Sequence, residues 1–331
     1  MHLPKLAAWS AGGLAALGAL VVLLPLFVFW AGEYTPPSLS EPKPFTVTVN
    51  PTLRTIIEDP AVEAELSHST LQAAAVGASD VVERLAYEVA SMPAYRLLAA
   101  AAVPQFVTIE PGFRKEEVAD AFGEALSWSA EEKKAFTSLR AASDPGIPEG
   151  TFAPGLYFVS ASTTEAEAEA LARERFERLV LSRYSTSTRE AVPLDTALTV
   201  ASLIQRETGD REEMRMISGI IWNRIFSDMR LQIDATLQYA KVNAKKGKVT
   251  DWWPSVVPRD KYISSPYNTY LNEGLPPSPI ASPGVAAVIA ALNPKKTTCL
   301  FYFHDKNGEF HCTDTYEEHV KLLKKYFGQG R

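Results

Sequence analysis

Between Leu6 and Gly32 the chain carries no charged side chain, and no other feature constrains what surrounds it so strongly. As a helix rising about 1.5 Å per residue, this run crosses the roughly 30 Å hydrocarbon core of a bilayer with some tilt. Trp9 and Trp30 stand near its two ends, where indole rings favour the headgroup region. A cleaved signal peptide has an apolar stretch of about 7–15 residues before a small-x-small site. Here the run is longer and leads into FVFWAGEY, so an uncleaved transmembrane anchor is expected. Lys5 and the amino group precede it and Glu33 follows, which leaves the basic end in the cytoplasm. Everything after residue 32 is then expected on the outward, periplasmic side of the inner (plasma) membrane.

The remainder divides by composition. YTPPSLSEPKP has the proline density of an extended spacer, giving a division into 1–32 stub and anchor, 33–44 linker, 45–145 membrane-proximal domain and 146–331 catalytic domain. With 46% hydrophobic residues, 331 positions suffice for an anchor and two modest cores. Basic residues number 33 against 39 acidic, a net charge of -6, which excludes the basic surplus that nucleic-acid binding needs.

Element signals follow in order. FTVTVN alternates like a strand, and an alanine-rich stretch with Val81, Val82, Leu85, Ala86 and Val89 has helical period. QFVTIEPGFRKEEVADAFGEAL (105–126) reads as strand, Pro-Gly turn and helix. Residues 164–183 form an amphipathic helix with Ala166, Ala170, Ala172 and Phe176, started by Ser-Thr-Thr-Glu. From Pro193 come two linked helices, a strand-like RLQIDATLQYA, a Pro-rich loop (264–284), a short helix, a hairpin around Asn307-Gly308, and a terminal helix with Val320, Leu323, Tyr326 and Phe327 at helical spacing. Cys299 and Cys312 flank the hairpin without zinc-finger spacing; a disulfide outside the cytoplasm and a pair of buried thiols are the alternatives.

The chemistry candidate lies in LDTALTVASLIQRETGD (194–210), which starts at a candidate Asp195 cap and is apolar on almost every side until Gln205. Such a helix is buried. Glu207 continues the face of Val200, Leu203 and Ile204, at spacings of seven, four and three. Desolvation and the carbonyl end of the helix both disfavour its anion, and a Glu protonated near neutral pH can donate to a departing glycosidic oxygen. The competing reading is a solvated Glu paired with Arg206 or Arg211.

ASLIQRET resembles the buried helix that carries the catalytic Glu in the endolytic murein transglycosylases of the YceG-like (MltG) type, with Gln205 where a further Glu is common. The resemblance continues through IIWNRI, through Gln232, Asp234, Thr236 and Tyr239 of MRLQIDATLQYA, through SPYNTYLNEGLPPSPIASPG (265–284), through AALNPKKTTCLFYF, and at Glu318-His319. It is strong from residue 193 to 327. Upstream, PEGTFAPGLYFV keeps Glu149, Gly150, Pro154 and Tyr157 of a family motif but has Gly155-Leu156 in place of Asp-Thr; Ser278 and Ser282 stand where Gly and Asn are usual.

The resemblance implies an α+β chain: an N-terminal transmembrane helix, a small LysM-like α+β subdomain containing VTIEPGFRKEEVADAF, and a YceG-like mixed α/β catalytic domain. It implies a lyase that cuts the bond between N-acetylmuramic acid and N-acetylglucosamine within strands. Glu207 would act first as acid and then as base while the muramyl C6 hydroxyl attacks, leaving 1,6-anhydro ends without metal or organic cofactor. Substrate-binding candidates are Asn268, Tyr267, Asp234, Gln232 and Glu149, with peptidoglycan glycan strands as the partner and peptidoglycan synthases or division proteins as candidate recruiters. Asn268 is equally a turn residue, and Asp234 equally a helix start or a partner of Arg230. The alternatives are a hydrolytic muramidase using Glu207 and Asp234, since hydrolysis ordinarily takes two carboxylates, and a non-catalytic peptidoglycan-binding scaffold.

Overall fold

A computed structural model describes residues 43–64, 66, 105–138, 149–245, 247 and 249–328. The apolar run at 6–32, most of the spacer and the alanine-rich helical stretch lie outside the described residues. Among the described residues no helix is long and apolar enough to cross a membrane.

The chain separates into two compact units. In the smaller, β3 (Gln105–Ile109) and β4 (Gly155–Val159) form a two-stranded sheet. Val107, Leu156, Tyr157 and Val159 are buried there, and Phe106 meets Phe158 edge-on at 5.0 Å.

The larger unit begins with a small hairpin, β1 (Val49–Asn50) on β2 (Thr55–Ile56). Only the end of the alternating FTVTVN stretch pairs as a strand. Earlier amides bond singly, Phe45 to the Arg183 carbonyl at 2.9 Å and Thr48 to that of Leu292 at 3.0 Å. After the Pro-Gly turn come α1 (Lys115–Leu126) and α2 (Ala130–Ser138), joined through Phe122, Trp128 and Phe136, with Phe152 against the last of these.

α3 (Glu165–Leu179) starts where the Ser-Thr-Thr-Glu signal places it, since Thr164 and Glu167 form a reciprocal capping box. Its buried face is Ala168, Ala172 and Phe176, and Ala166 of the expected stripe is exposed. A strict spacing of four follows one ridge of the helix, and counting Ala166 and Ala170 displaced the face by two residues. A short α4 (Thr186–Ala191) precedes the helical core.

That core is α5 (Leu194–Glu207), α6 (Arg211–Phe226) and α8 (Val285–Leu292), packed against one another, with α7 (Asp234–Asn243) also against α5. Every residue of α5 from Ala197 to Ile204 is buried. Two expectations are corrected here. The α5 cap position is Pro193, with Asp195 in the first turn, and the helix stops at Glu207 because Thr208 is extended and Asp210 already caps α6, its Oδ1 accepting from the Glu212 and Glu213 amides. RLQIDATLQYA is not a strand: from Asp234 it is α7, whose Leu237 and Ala240 bury at helical spacing.

α6 explains the Asn-Arg pair of IIWNRI. Its side chains hold the segment that leads from α8 into the last hairpin: Trp222 Nε1 donates to the Ala291 carbonyl at 3.0 Å and Arg215 Nε to that of Asn293 at 2.9 Å. Asn223 donates to the Thr297 and Cys299 carbonyls, and Arg224 to that of Leu300 at 2.6 Å. Arg215 and Trp222 lie on one stripe with Gly219, and the next two residues, Asn223 and Arg224, carry the contact round the end of α6, so this one helix satisfies a long irregular segment whose carbonyls would otherwise lack partners.

The segment ends in β5 (Phe301–His304), antiparallel to β6 (Phe310–Thr313) in the register Tyr302 to Cys312. Asn307 and Gly308 form the turn, where Gly308 has φ 82°. Cys299 and Cys312 are joined by a disulfide, which decides between the two alternatives. α9 (Tyr316–Phe327), capped by Thr315, packs on the hairpin.

Candidate active site

Glu207 is the last residue of α5, half-buried beyond the fully buried Leu203 and Ile204. The helix is pinned just before its end. Ser202 Oγ accepts from the Ile280 amide at 3.0 Å, and Gln205 Oε1 accepts from the Gly284 amide at 3.0 Å, so the Pro-rich loop is tied to α5 one turn before the carboxyl. An amide at position 205 supplies that acceptor without a second negative charge beside Glu207. The same loop holds the Pro-Gly turn, as Gly112 and Phe113 exchange backbone hydrogen bonds with Ser282.

Tyr302 of β5 donates its hydroxyl to Glu207 Oε2 at 2.7 Å. Oε1 takes no hydrogen bond among the described residues. His304 shares the Tyr302 face of the strand by its period of two, and its Nε2 lies 3.1 Å from Glu213 Oε2. Glu213 also accepts from the Thr208 hydroxyl at 2.7 Å, so the residue after Glu207 is bound into the same network.

Burial pushes the Glu207 carboxyl above the ordinary carboxylate range; the Tyr302 hydrogen bond opposes it, the Asp234 charge adds to it, and His304 and Arg206 oppose it. The expected competitor does not materialise. Arg206 makes no ion pair with Glu207; its guanidinium lies 3.8 Å above the Trp253 ring, and burial pushes its pKa down.

Of the candidate substrate contacts, Asp234 stands nearest this chemistry. It is exposed, starts α7, and accepts the Tyr270 hydroxyl at 2.6 Å. Burial and that bond raise the Tyr270 pKa, with the Glu207 charge adding to them. Gln232 is exposed with φ 53°, a left-handed conformation uncommon for a side-chain-bearing residue. The surrounding bonds fix it: its amide donates to the Thr269 carbonyl, and the next amide, that of Ile233, to Thr269 Oγ1. Tyr267 is half-buried, its ring 4.7 Å from that of Tyr239 and its hydroxyl 2.7 Å from Ser278 Oγ.

Asn268 is corrected from sugar contact to loop scaffold. It is fully buried; its amide donates to the Lys261 and Ile263 carbonyls while Oδ1 accepts from the Tyr270 amide at 2.9 Å. A side chain so committed shapes the turn that presents Tyr270. Asn268→Ala is expected to cost about 2 kcal/mol by leaving those backbone groups unpaired, seen as a lower denaturation midpoint with an unchanged slope.

Glu149 is buried. Its Oε1 accepts from the Lys115 amide at 2.9 Å, Oε2 has no partner, and desolvation, aided by the Glu116 charge, pushes its pKa up to about 8. Beside it Arg114, also buried, lies 4.1 Å over the Tyr239 ring. Glu117 links this wall to α5, accepting at 2.8 Å from Nε1 of Trp253, whose ring also carries the Arg206 guanidinium. The Gly155 departure from the family motif has a local cause. Its φ is +140°, and an added Cβ would lie 1.9 Å from the Arg175 guanidinium, which is held by the Pro154 carbonyl. Arg175 can swing aside, so it is the backbone φ that disfavours a side chain such as Asp here.

One trio with metal-ligand chemistry does assemble among the described residues, Asp305, Glu309 and His311 at the hairpin turn. Asp305 Oδ1 accepts the Asn307 and Glu309 amides and Oδ2 lies 3.3 Å from His311, a turn-closing arrangement away from Glu207 in the chain.

The residues that sequence reading missed are Tyr302, His304 and Glu213. The alternation of Tyr302 and His304 on one face of a short strand signals the first two, and no local pattern signals Glu213.

A family model described as the YceG-like family matches residues 73–325. An endolytic murein transglycosylase of Bacillus subtilis is 40% identical over 138 residues, 42% of this chain and 36% of that protein. One from Streptococcus pneumoniae is 32% identical over 180 residues, 54% of this chain and 32% of that protein. The matches thus span about a third of the length of these curated relatives. Among solved structures, a YceG-like protein of Listeria monocytogenes shares the mixed α/β fold, with a TM-score of 0.53, 24% identity, and coverage of 73% of this chain and 81% of that one.

Proposed function

Because the chain belongs to the YceG-like family, we propose that it is an endolytic peptidoglycan lytic transglycosylase with Glu207 as its acid and base. One observation carries the reading: a carboxyl whose pKa burial raises, anchored through Oε2 and without a hydrogen bond at Oε1 among the described residues, at the end of a buried helix.

The cut then balances without water. Glu207 Oε1 delivers its proton to the oxygen linking N-acetylmuramic acid to N-acetylglucosamine, and the muramyl C1–O bond breaks. The muramyl C6 hydroxyl bonds to C1 and returns its proton to the Glu207 carboxylate. The products are a 1,6-anhydromuramyl end and a free N-acetylglucosamine hydroxyl, and the enzyme is restored.

A second reading has support in Asp234, whose charge acts on Glu207 and whose carboxylate Tyr270 holds. With Asp234 activating water, the same site would be a muramidase. Digestion of nascent, uncrosslinked strands by the full chain in detergent separates these readings. Anhydro-muropeptides are expected by mass spectrometry. Reducing ends alone would favour hydrolysis, and binding with no release a scaffold.

Around this site we place the other parts of the chain as proposals. The charge-free run at 6–32 anchors it in the plasma membrane with the catalytic part outside, and the strand-turn-helix at 105–126 acts as a LysM-like glycan-facing element. Peptidoglycan synthases or division proteins recruit the enzyme to strands as they are made or trimmed.

A further inference from the structure

We propose that Tyr302 is a positioning residue for the cut: its hydroxyl fixes Glu207 through Oε2 and stabilises the carboxylate that forms when Oε1 gives up its proton. The inference rests on the acid and base role of Glu207 and adds a second side chain to it.

The geometry has three parts. The 2.7 Å bond is donated by Tyr302, so it strengthens as negative charge develops on Glu207, which is the moment the leaving group takes the proton. Tyr302 itself keeps its proton throughout. Burial, then the Glu207 charge and hydrogen bond, push its pKa well above the ordinary phenol range, so it serves as a donor and not as an alternative acid. Finally, the phenol is delivered by a braced strand. Arg224 takes the Leu300 carbonyl, Asn223 those of Thr297 and Cys299, the disulfide closes the hairpin at its base, and the Tyr302 ring stacks on Phe310 at 5.8 Å.

The charged and titratable groups acting on this pair come from every neighbouring element. Arg206 lies on α5, Arg224 on α6, Asp234 on α7, Tyr270 in the Pro-rich loop and His304 on β5. None of these hydrogen-bonds the Glu207 carboxyl among the described residues, and Tyr302 does. Its hydroxyl therefore resolves a conflict in the site. Burial favours the acid needed in the first half of the reaction, and the Tyr302 bond keeps the base of the second half within reach.

The test uses the full chain in detergent, comparing wild type with Tyr302→Phe, which keeps the ring and removes the hydroxyl. Cleavage of uncrosslinked glycan strands is followed against pH. Tyr302 lowers the Glu207 pKa, so removing it raises that pKa. Because cleavage needs the protonated acid, the alkaline limb of kcat should move up by at least about half a pH unit. At the same time kcat should fall about ten- to a hundredfold with little change in KM, the range for a lost hydrogen bond to a charged group. A variant with the wild-type limb and kcat overturns the proposal.

Infrared titration of the Glu207 carboxyl, identified by its loss in Glu207→Gln, reads the same contact without turnover. In wild type carrying 3-fluorotyrosine at position 302, a stronger donor, the Glu207 band should titrate at lower pH; no movement overturns the proposal even where Tyr302→Phe fails to fold. If wild type cuts no strand while the band moves, the contact stands and the transglycosylase reading fails.

Discussion

Glu207→Gln is expected to lose about a thousandfold or more of the glycan-cutting rate, the upper range of what a positioned general acid contributes. The amide keeps the shape of the side chain, and its oxygen can still accept the Tyr302 hydroxyl, so β5 and the end of α5 should stay in place. It has no acid proton to give. Linkage makes a second readout available. The carboxyl's folded pKa is raised above its unfolded value, so the native state holds the proton more tightly. The stability this confers is complete below the ordinary Glu pKa and is lost as pH rises through the folded pKa. Glu207→Gln removes that dependence. Its melting temperature should equal or exceed that of wild type near and above neutral pH, with the gap closing toward acid. A large drop in melting temperature would assign Glu207 a structural role instead.

Gly219→Ala carries the second large effect, on stability. Gly219 sits on the α6 stripe, where a Cβ would lie 2.2 Å from the Lys295 carbonyl oxygen and 3.1 Å from a Thr297 methyl. The first of these is backbone, itself tied to α6 by the Lys295 amide on the Arg215 carbonyl at 2.9 Å. No rotamer relieves the overlap, so residues 293–297 must move off the helix. The cost should be about 3 kcal/mol, the upper end for inserting a methyl into a packed interface, lowering the melting temperature by about 6–10 °C. Cleavage should also fall among the molecules that fold, because the displaced segment runs into β5 and Tyr302. Gly209→Ala is the control, since an added Cβ there meets nothing within 4 Å.

These two residues differ in how far they could be read in advance. The placement of Glu207 at the end of a buried helix was legible because a single helix carries that signal: Val200, Leu203 and Ile204 mark the buried face and the carboxyl continues it. The start of α5 was not, because Pro193 takes the cap position and leaves Asp195, the residue type a cap prefers, in the first turn. The strand-like reading of residues 230–240 failed for a related reason. Leu231 and Ile233 alternate, but after the left-handed Gln232 the burial of Leu237 and Ala240 follows helical period. Tyr302 reaches Glu207 across 95 positions of sequence. The α6 bonds to residues 297–300 help bring the two together, a tertiary contact that no local pattern encodes. For Asn268 the sequence left sugar contact and turn residue equally open, since an amide in a turn rich in Tyr residues looks alike whether it faces sugar or backbone, and its buried bonds to backbone groups select the second. The Gly155 departure became intelligible only from the backbone, whose φ of +140° disfavours any side chain there.

The central claim is that Glu207 cuts glycan by passing one proton out and one back, with the muramyl C6 hydroxyl taking the place of water. Digesting uncrosslinked strands with the full chain in oxygen-18 water, and weighing the new muramyl ends, tests it most directly. Unlabelled 1,6-anhydro ends that vanish with Glu207→Gln are the predicted result. Reducing muramyl ends carrying the heavy oxygen would contradict it and transfer the second half of the reaction to a water held near Asp234.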